Sequence, residues 1–329
     1  MTTATARAHP NIALVKYWGK RDEELMLPAA GSLSLTLDAY ATTTTVSLDP
    51  SATEDRFVLG GAAATPGQTV QVTRFLDLVR ARAGSAARAD SSAHAVVDSR
   101  NEAPTGAGLA SSASGFAALA VAAAAAYGLD LDRTELSRLA RRGSGSATRS
   151  LVAGLGIWHA GDDDASSFAE PIEGPEMSMV IVTVDPGQKK VSSREGMRRT
   201  AATSPYYSGW VDSTARSLEE MSAACRAGDF TRVGEITESN ALRMHAAIEA
   251  CEPPIRYLRS TSVAVFDAVE QLRTRGIEAY ATADAGPNVV VISRPAEAEA
   301  VAEHLADHGD VRIVGAGPGA HLIPTEESA

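Results

Sequence analysis

Two glycine-rich stretches, two clusters of cations and one carboxylate turn hold the groups in this sequence best suited to chemistry. Pro104-Thr-Gly106-Ala-Gly108-Leu-Ala-Ser111-Ser112 follows a predicted strand and opens a predicted helix. Its backbone N–H groups therefore point where the positive end of the helix dipole lies, and a phosphate fits there. The hydroxyls of Ser111 and Ser112 can add hydrogen bonds, and Ser112 can help hold a magnesium ion bridging two phosphates. No Gly-Lys-Ser/Thr closes the loop, so it is not a Walker sequence. The same small residues also suit a tight strand-to-helix turn with nothing bound.

A second anion site is suggested by Arg141-Arg142-Gly-Ser144-Gly-Ser146-Ala-Thr-Arg149. A helix beginning near Ser146 puts that hydroxyl and Arg149 on one face, where the planar guanidinium can grip a carboxylate through two parallel bonds. A capped helix start with solvated arginines accounts for the same residues. Between Asn11 and Arg21, Lys16, Lys20 and Arg21 stand beside Tyr17 and Trp18, an arrangement that can hold a phosphorylated tail or form a solvated edge over core aromatics. The stretch Lys189-Lys190-Val-Ser192-Ser193-Arg194, continuing to Arg198 and Arg199, is denser in cations. It reads either as an anion trap or as an exposed basic loop.

Asp284-Ala-Gly-Pro-Asn288 lies at the tip of a predicted hairpin. Asp and Asn are turn formers, and a carboxylate exposed at a strand end is also a good general base. Gly315-Ala-Gly-Pro-Gly is a glycine turn that can approach the same cleft. His94, His159, His245, His304 and His308 lack metal-ligand spacing and read as structural or surface residues.

These segments need a frame. Residues 32 to 48 alternate or are rich in β-branched side chains, which predicts an antiparallel pair of half-buried strands. Helices are predicted from Val70 to Arg82, from Ser111 or Ser112 to Gly128, and from Asp132 or Thr134 to Arg142, with strands at 94–99, 155–160 and 179–185. Asp185-Pro186-Gly187 is a strong break. Beyond it come helices at 207–227, 229–249 and 254–275, a hairpin of 279–284 with 288–293, a helix over 296–308 and a strand at 311–314. The expectation is an α+β fold in two domains, 1–185 and 186–329, with mainly antiparallel sheets.

Composition limits the partners. With 329 residues the chain suits about two domains of roughly 150 residues. A net charge of −11 argues against nucleic acid and anionic membrane surfaces, which reward positive charge. Two cysteines, Cys225 and Cys251, are too few for a disulfide framework, so a reducing cytoplasm is expected. The apolar run from Phe116 to Ala126 falls short of the roughly 20 residues that span a bilayer. Lys16 and Lys20 interrupt the candidate leader segment near the start.

Together these segments resemble the diphosphomevalonate decarboxylase family, within the superfamily of galactokinase, homoserine kinase, mevalonate kinase and phosphomevalonate kinase. The Pro-x-x-x-Gly-Leu-Ala-Ser-Ser loop points to the superfamily, whereas Asn11 to Arg21, Arg142 to Arg149, Ser192 to Met197 and Asp284 to Asn288 look like the decarboxylase branch. The resemblance implies a two-domain fold with the ligand cleft between the domains and ATP-dependent conversion of mevalonate diphosphate to isopentenyl diphosphate, carbon dioxide, ADP and phosphate. It also implies magnesium and a homodimer. Pro104, Gly106, Gly108, Ser111, Ser112 and Lys189 would then serve ATP. Asn11, Tyr17, Lys20, Ser144, Ser146, Ser193, Arg194 and Met197 would serve the substrate, with Arg149 facing its carboxylate and Asp284 its tertiary hydroxyl. Two departures stand out: Ala29-Ala30-Gly31 where relatives tend to carry Asn or Ser, and Gly106 where Ala is common. The rival readings are a phosphomevalonate decarboxylase, a 3-kinase without decarboxylation, and a nucleotide-binding regulator without turnover.

Overall fold

The computed structural model describes residues 2–86, 91–102, 111–185, 187 and 190–324. Within them the chain forms an α+β fold with four sheets. The first sheet runs in the order β16 (His321–Ile323), β1 (Thr3–Ala8), β6 (Thr42–Asp49), β9 (His94–Asn101), β7 (Arg56–Leu59) and β8 (Ala62–Ala63). Its pairings are antiparallel except β7 with β9. Helices α1 (Pro66–Ser85) and α2 (Ser111–Ala126) supply side chains to the apolar core on this sheet, α3 (Arg133–Gly143) packs beside them, and a 3₁₀ helix follows at Gly145–Leu151.

The second sheet is β11 (Ala169–Pro171), β10 (Leu155–Trp158), β5 (Ser32–Thr36) and β2 (Asn11–Val15), all antiparallel. The third is β13 (Ala279–Thr282), β14 (Val289–Ser293), β12 (Ser178–Thr183) and β15 (Asp310–Val314), also antiparallel. A short ribbon of β3 (Lys20–Asp22) and β4 (Leu27–Pro28) completes the set. Helices α4 (Ser193–Thr203), α5 (Tyr207–Ala227), α6 (Phe230–Glu249), α7 (Ser260–Thr274) and α8 (Ala298–Leu305) belong to the second half. Helix α6 packs against both β2 and β13, and one apolar core runs from the second sheet through α5 and α6 to the third. That shared core fixes the two halves of the chain around the residues singled out above.

Local chemistry accounts for most boundaries. Thr65 caps α1 in a capping box with Gln68, and Pro66 takes the first turn, so this helix begins earlier than the apolar pattern alone predicts. Gly228 in the left-handed region (φ 67°) ends α5, and the Asp229 side chain accepts the Arg232 N–H to start α6. The predicted hairpin of 279–284 with 288–293 is present as β13 and β14.

Four expectations change. Residues 32–36 and 42–49 are not paired with each other: β5 joins β2 and β10, while β6 joins β1 and β9. Every residue of β5 is buried, so its serines alternate with leucines without facing water. The strand predicted at 179–185 is an inner strand of the third sheet, paired with β14 and β15 from far downstream. Helix α7 begins at Ser260, after an extended Arg259 at its N-cap, later than the predicted start at 254. The segment starting near Ser146 is 3₁₀ rather than α.

Candidate active site

Strand β2 delivers the first group. Lys16 follows it directly, is 2% exposed, and places its Nζ 2.6 Å from Asp284 Oδ1. Asp284 lies just past β13 with 38% of its side chain exposed, in a turn closed by the Gly286 N–H on its carbonyl at 2.7 Å. Asn288 anchors the far side of that turn, its Oδ1 accepting the N–H groups of Val184 and Asp185 at 2.9 and 3.1 Å. The predicted turn-forming role of Asn288 and the exposed carboxylate of Asp284 are therefore both present. Burial pushes the Lys16 amine below its ordinary value, and the Asp284 carboxylate opposes that shift.

The 3₁₀ helix delivers the second group. Arg149 is 2% exposed, and its guanidinium is surrounded by neutral oxygens. Nε donates to Ser34 Oγ at 2.9 Å and to Asn11 Oδ1 at 3.3 Å, one terminal nitrogen donates to Ser32 Oγ, and the other reaches Asn11 Oδ1 at 3.3 Å. Its face lies over Trp158 at 5.8 Å. Among the described residues no carboxylate is within ion-pair distance of it. Burial lowers its pKa to about 10, against the pull of Asp284 and Tyr17, so it remains a cation near neutrality. A buried guanidinium held by hydroxyls and an amide, with no anion of its own, is prepared to take one.

Asn11 organises this corner as well as contacting it. Its Nδ2 donates to Ser150 Oγ at 2.8 Å and to the Ser146 carbonyl at 3.1 Å, so the amide clamps the turn that carries Arg149. The Gly315–Gly319 segment supports the same turn from behind rather than reaching the cleft. The Gly154 N–H donates to the Gly317 carbonyl at 3.0 Å, and the Ala320 N–H to the Ser150 carbonyl at 2.9 Å. The alternative of solvated arginines fails at Arg141 too, which is fully buried on Asp164, the Ser167 carbonyl and the Leu25 carbonyl.

A third group of residues clusters around Tyr17 and Lys20. The Tyr17 ring meets Trp158 edge-on at 4.9 Å, and its Oη is buried with no hydrogen-bond partner among the described residues. Burial raises that phenol's pKa, while Arg149 and Arg194 pull it down. Lys20 Nζ is 3.1 Å from Glu23 Oε2, and Glu23 also meets Arg198 Nε at 3.2 Å. Arg198, as the largest influence, and Lys20 together hold the Glu23 carboxyl low. Ser192 caps α4 by accepting the Glu195 N–H, which sets Ser193 and Arg194 in the first turn. Arg194 lies near enough to act electrostatically on Lys20 and Tyr17, and Met197 packs with Trp18 and Tyr207.

Hydroxyls form the fourth group. Ser144 ends α3, its Oγ 3.5 Å from Ser112 Oγ at the start of α2 and 3.3 Å from Ser146 Oγ. The residues expected to serve ATP and those expected to serve the substrate thus adjoin through three serines. Pro104, Gly106, Gly108, Lys189 and the side chain of Ser111 lie outside the described residues. A magnesium ion arriving with nucleotide phosphates would find the hydroxyls of Ser112, Ser144 and Ser146 close together here. Among the described residues no group of three or more His, Cys, Asp or Glu side chains could hold a metal.

Several functional neighbours were not singled out in the sequence. Ser32 and Ser34 read as strand alternation; Asn240 and His245 read as helix and as a structural histidine. Lys16 was noted as a possible anion holder but not as the partner of Asp284, 268 residues away. The one signal available for the serines was a polar pair in a strand whose every neighbour is apolar.

Two family models match the chain. The description "Diphosphomevalonate decarboxylase-like N-terminal domain" matches residues 8–169, and "Mevalonate 5-diphosphate decarboxylase C-terminal domain" matches residues 179–311. The chain is 38% identical to diphosphomevalonate decarboxylase of Ganoderma lucidum over 309 residues, covering 88% of this chain and 77% of that protein. Against the Homo sapiens enzyme it is 37% identical over 325 residues, covering 93% and 80%. Among solved structures, the mevalonate diphosphate decarboxylase of Enterococcus faecalis superposes with a TM-score of 0.91 at 45% identity, covering 98% of this chain and 99% of that one. That of Staphylococcus aureus gives 0.93 at 39%, covering 98% of each. A further structure, MDDEF in complex with MVAPP, AMPPCP and magnesium, gives 0.92 at 46%, covering 98% and 99%. With both family models spanning nearly the whole chain, this protein belongs to the diphosphomevalonate decarboxylase family.

Proposed function

We infer that this chain performs the ATP-dependent decarboxylation of mevalonate diphosphate to isopentenyl diphosphate, with the four groups of residues described above as its machinery. The observation that carries the assignment of residues is Arg149, a buried cation among neutral oxygens within the electrostatic reach of Asp284. The substrate carboxylate supplies the anion that Arg149 lacks, and the C3 hydroxyl then lies toward Asp284.

The steps follow from that placement. The γ-phosphoryl group of ATP passes to the C3 oxygen while the hydroxyl proton moves toward Asp284. One oxygen of Asp284 is committed to Lys16, and the exposed part of the carboxylate remains reachable by the hydroxyl. The C3–O bond then breaks, the departing phosphate takes the proton back from Asp284 as it leaves, and positive charge develops at C3, where the carboxylate so restored lowers its energy. The bond between the carboxylate carbon and C2 breaks last, its electron pair forming the C2=C3 alkene as carbon dioxide leaves. Arg149 keeps that carboxylate aligned until the charge appears. Magnesium, when bound with ATP, neutralises phosphate charge. Ser112, Ser144 and Ser146 orient the phosphates and the reacting end of the substrate, and Lys20, Arg194, Ser193, Met197 and Tyr17 hold its diphosphate tail.

Incubation with ATP, magnesium and mevalonate diphosphate is expected to release ADP and carbon dioxide in equal amounts. ADP without carbon dioxide would mean a kinase, and a preference for the monophosphate would move the substrate one phosphate back. ATP binding with no ADP release would mean a regulator. We also propose that the enzyme is a cytoplasmic homodimer, which sedimentation velocity and cell fractionation test directly.

A further inference from the structure

Helix α6 carries two buried polar residues, Asn240 and His245, that the chemistry above does not use. Asn240 Oδ1 accepts the backbone N–H of Lys16 at 2.8 Å, and its Nδ2 donates to Thr214 Oγ1 at 3.3 Å. His245 Nε2 lies 3.3 Å from the carbonyl of Ala283, the residue before Asp284. A carbonyl can only accept, so Nε2 carries the proton and Nδ1 is the bare acceptor. That Nδ1 is buried with no hydrogen-bond partner among the described residues. An unsatisfied buried group of this sort costs about 1–3 kcal/mol, which leucine of similar bulk would avoid. What the histidine provides in return is the bond to the Ala283 carbonyl.

The two contacts fall on the two sides of one ion pair. Asn240 holds the backbone of Lys16 from the second sheet, and His245 holds the backbone next to Asp284 from the third. We propose that Asn240 and His245 are positioning residues that set the Lys16 amine and the Asp284 carboxylate at their working separation, so that α6 acts as the jig for the reacting carboxylate. The proposal rests on the reading that Asp284 acts at the tertiary carbon of the substrate.

The test uses the full enzyme and four variants. His245→Leu removes the donor, and kcat should fall about 10- to 100-fold, the scale of a misplaced reacting group. KM for both substrates should stay within about threefold and Tm should change little, because removing the unpaired Nδ1 offsets leaving the Ala283 carbonyl without its donor. His245→Gln, whose Nε2 can reach the same carbonyl, should recover kcat to within about threefold of wild type. In an Asp284→Asn background, His245→Leu should cost less than about a further twofold, because its effect runs through that carboxylate. Should the leucine variant not fold, His245→Asn, too short to reach the carbonyl, takes its place with the same expectations. Unchanged turnover in His245→Leu, no recovery in the glutamine variant, or a full additive loss in the double variant would each overturn the proposal. Asp284→Asn alone separates the two levels. If it keeps turnover, the role of Asp284 is wrong, and if it loses turnover while His245→Leu keeps it, only the role of α6 is wrong.

Discussion

Lys16 and Asp284 meet at 2.6 Å, one following a strand of the second sheet and the other following a strand of the third. The pair therefore ties the two halves of the chain at the point where the reaction is placed. Its geometry makes the orientation of the carboxylate depend on a cation that is itself buried and held by its backbone from α6.

Asp284→Asn keeps shape and removes the negative charge. The expected loss in kcat is roughly 10³-fold or more, comparable with removal of a central electrostatic or acid–base group. Coupled assays of ADP and carbon dioxide check this, and a variant that keeps a tenth of wild-type turnover would refute the role.

For Arg149→Lys the charge survives but the fork does not. A lysine reaches at most part of the Ser32, Ser34 and Asn11 set and cannot pair a carboxylate through two parallel bonds, so kcat/KM for the diphosphate substrate should fall about 10²-fold or more. Kinetics matching wild type would leave the arginine a purely structural role.

Lys16→Met separates function from stability. Asp284 is partly exposed and screened, and methionine suits the buried stem, so the change in unfolding free energy should stay within about 1 kcal/mol. Turnover should drop by at least about 10²-fold because Asp284 loses its anchor. Chemical denaturation beside steady-state kinetics reads both, and equal losses in each would contradict the split.

His245 gives a pH signature. Burial lowers its folded-state pKa from 6.5 to about 4, so between those values the unfolded chain binds the extra proton. Its contribution to stability is complete above pH 6.5 and is lost as pH falls toward 4, by about 2 kcal/mol at pH 5. Wild type should therefore lose that much more stability between pH 7 and pH 5 than His245→Leu does. Parallel curves for the two proteins would show that another group titrates.

Tyr17→Phe removes a hydroxyl that is buried without a partner among the described residues. Tm should hold or rise, whereas KM for the diphosphate substrate should rise about tenfold if the phenol donates to the tail. A lower Tm with unchanged KM would reverse that assignment.

Much of the site was legible because its residues lie in short runs. Asn11 to Arg21, Ser144 to Arg149 and Asp284 to Asn288 each place several polar groups within one turn or strand, and local pattern locates them. What escaped depends on long-range pairing. Ser32 and Ser34 face a guanidinium more than 110 residues away, which their alternation with leucine cannot reveal. The partner of Lys16 lies beyond seven helices, 268 residues along the chain. The strand at 178–183 looks the same in sequence whichever sheet receives it, and its neighbours β14 and β15 decide. Asn240 and His245 are ordinary helix residues until β2 and β13 are docked on α6.

The pairing of Thr5 with Ile323, and of the Arg149 turn with residues 317–320, has a consequence for biosynthesis. A ribosome makes Thr5 long before Ile323, so β1 waits through the synthesis of every residue between them for its outer neighbour. The turn that carries Arg149 waits likewise, from its own synthesis until residues 317–320 emerge behind it. A nascent polypeptide halted before residue 315 would carry every assigned side chain and still lack the brace behind one of them.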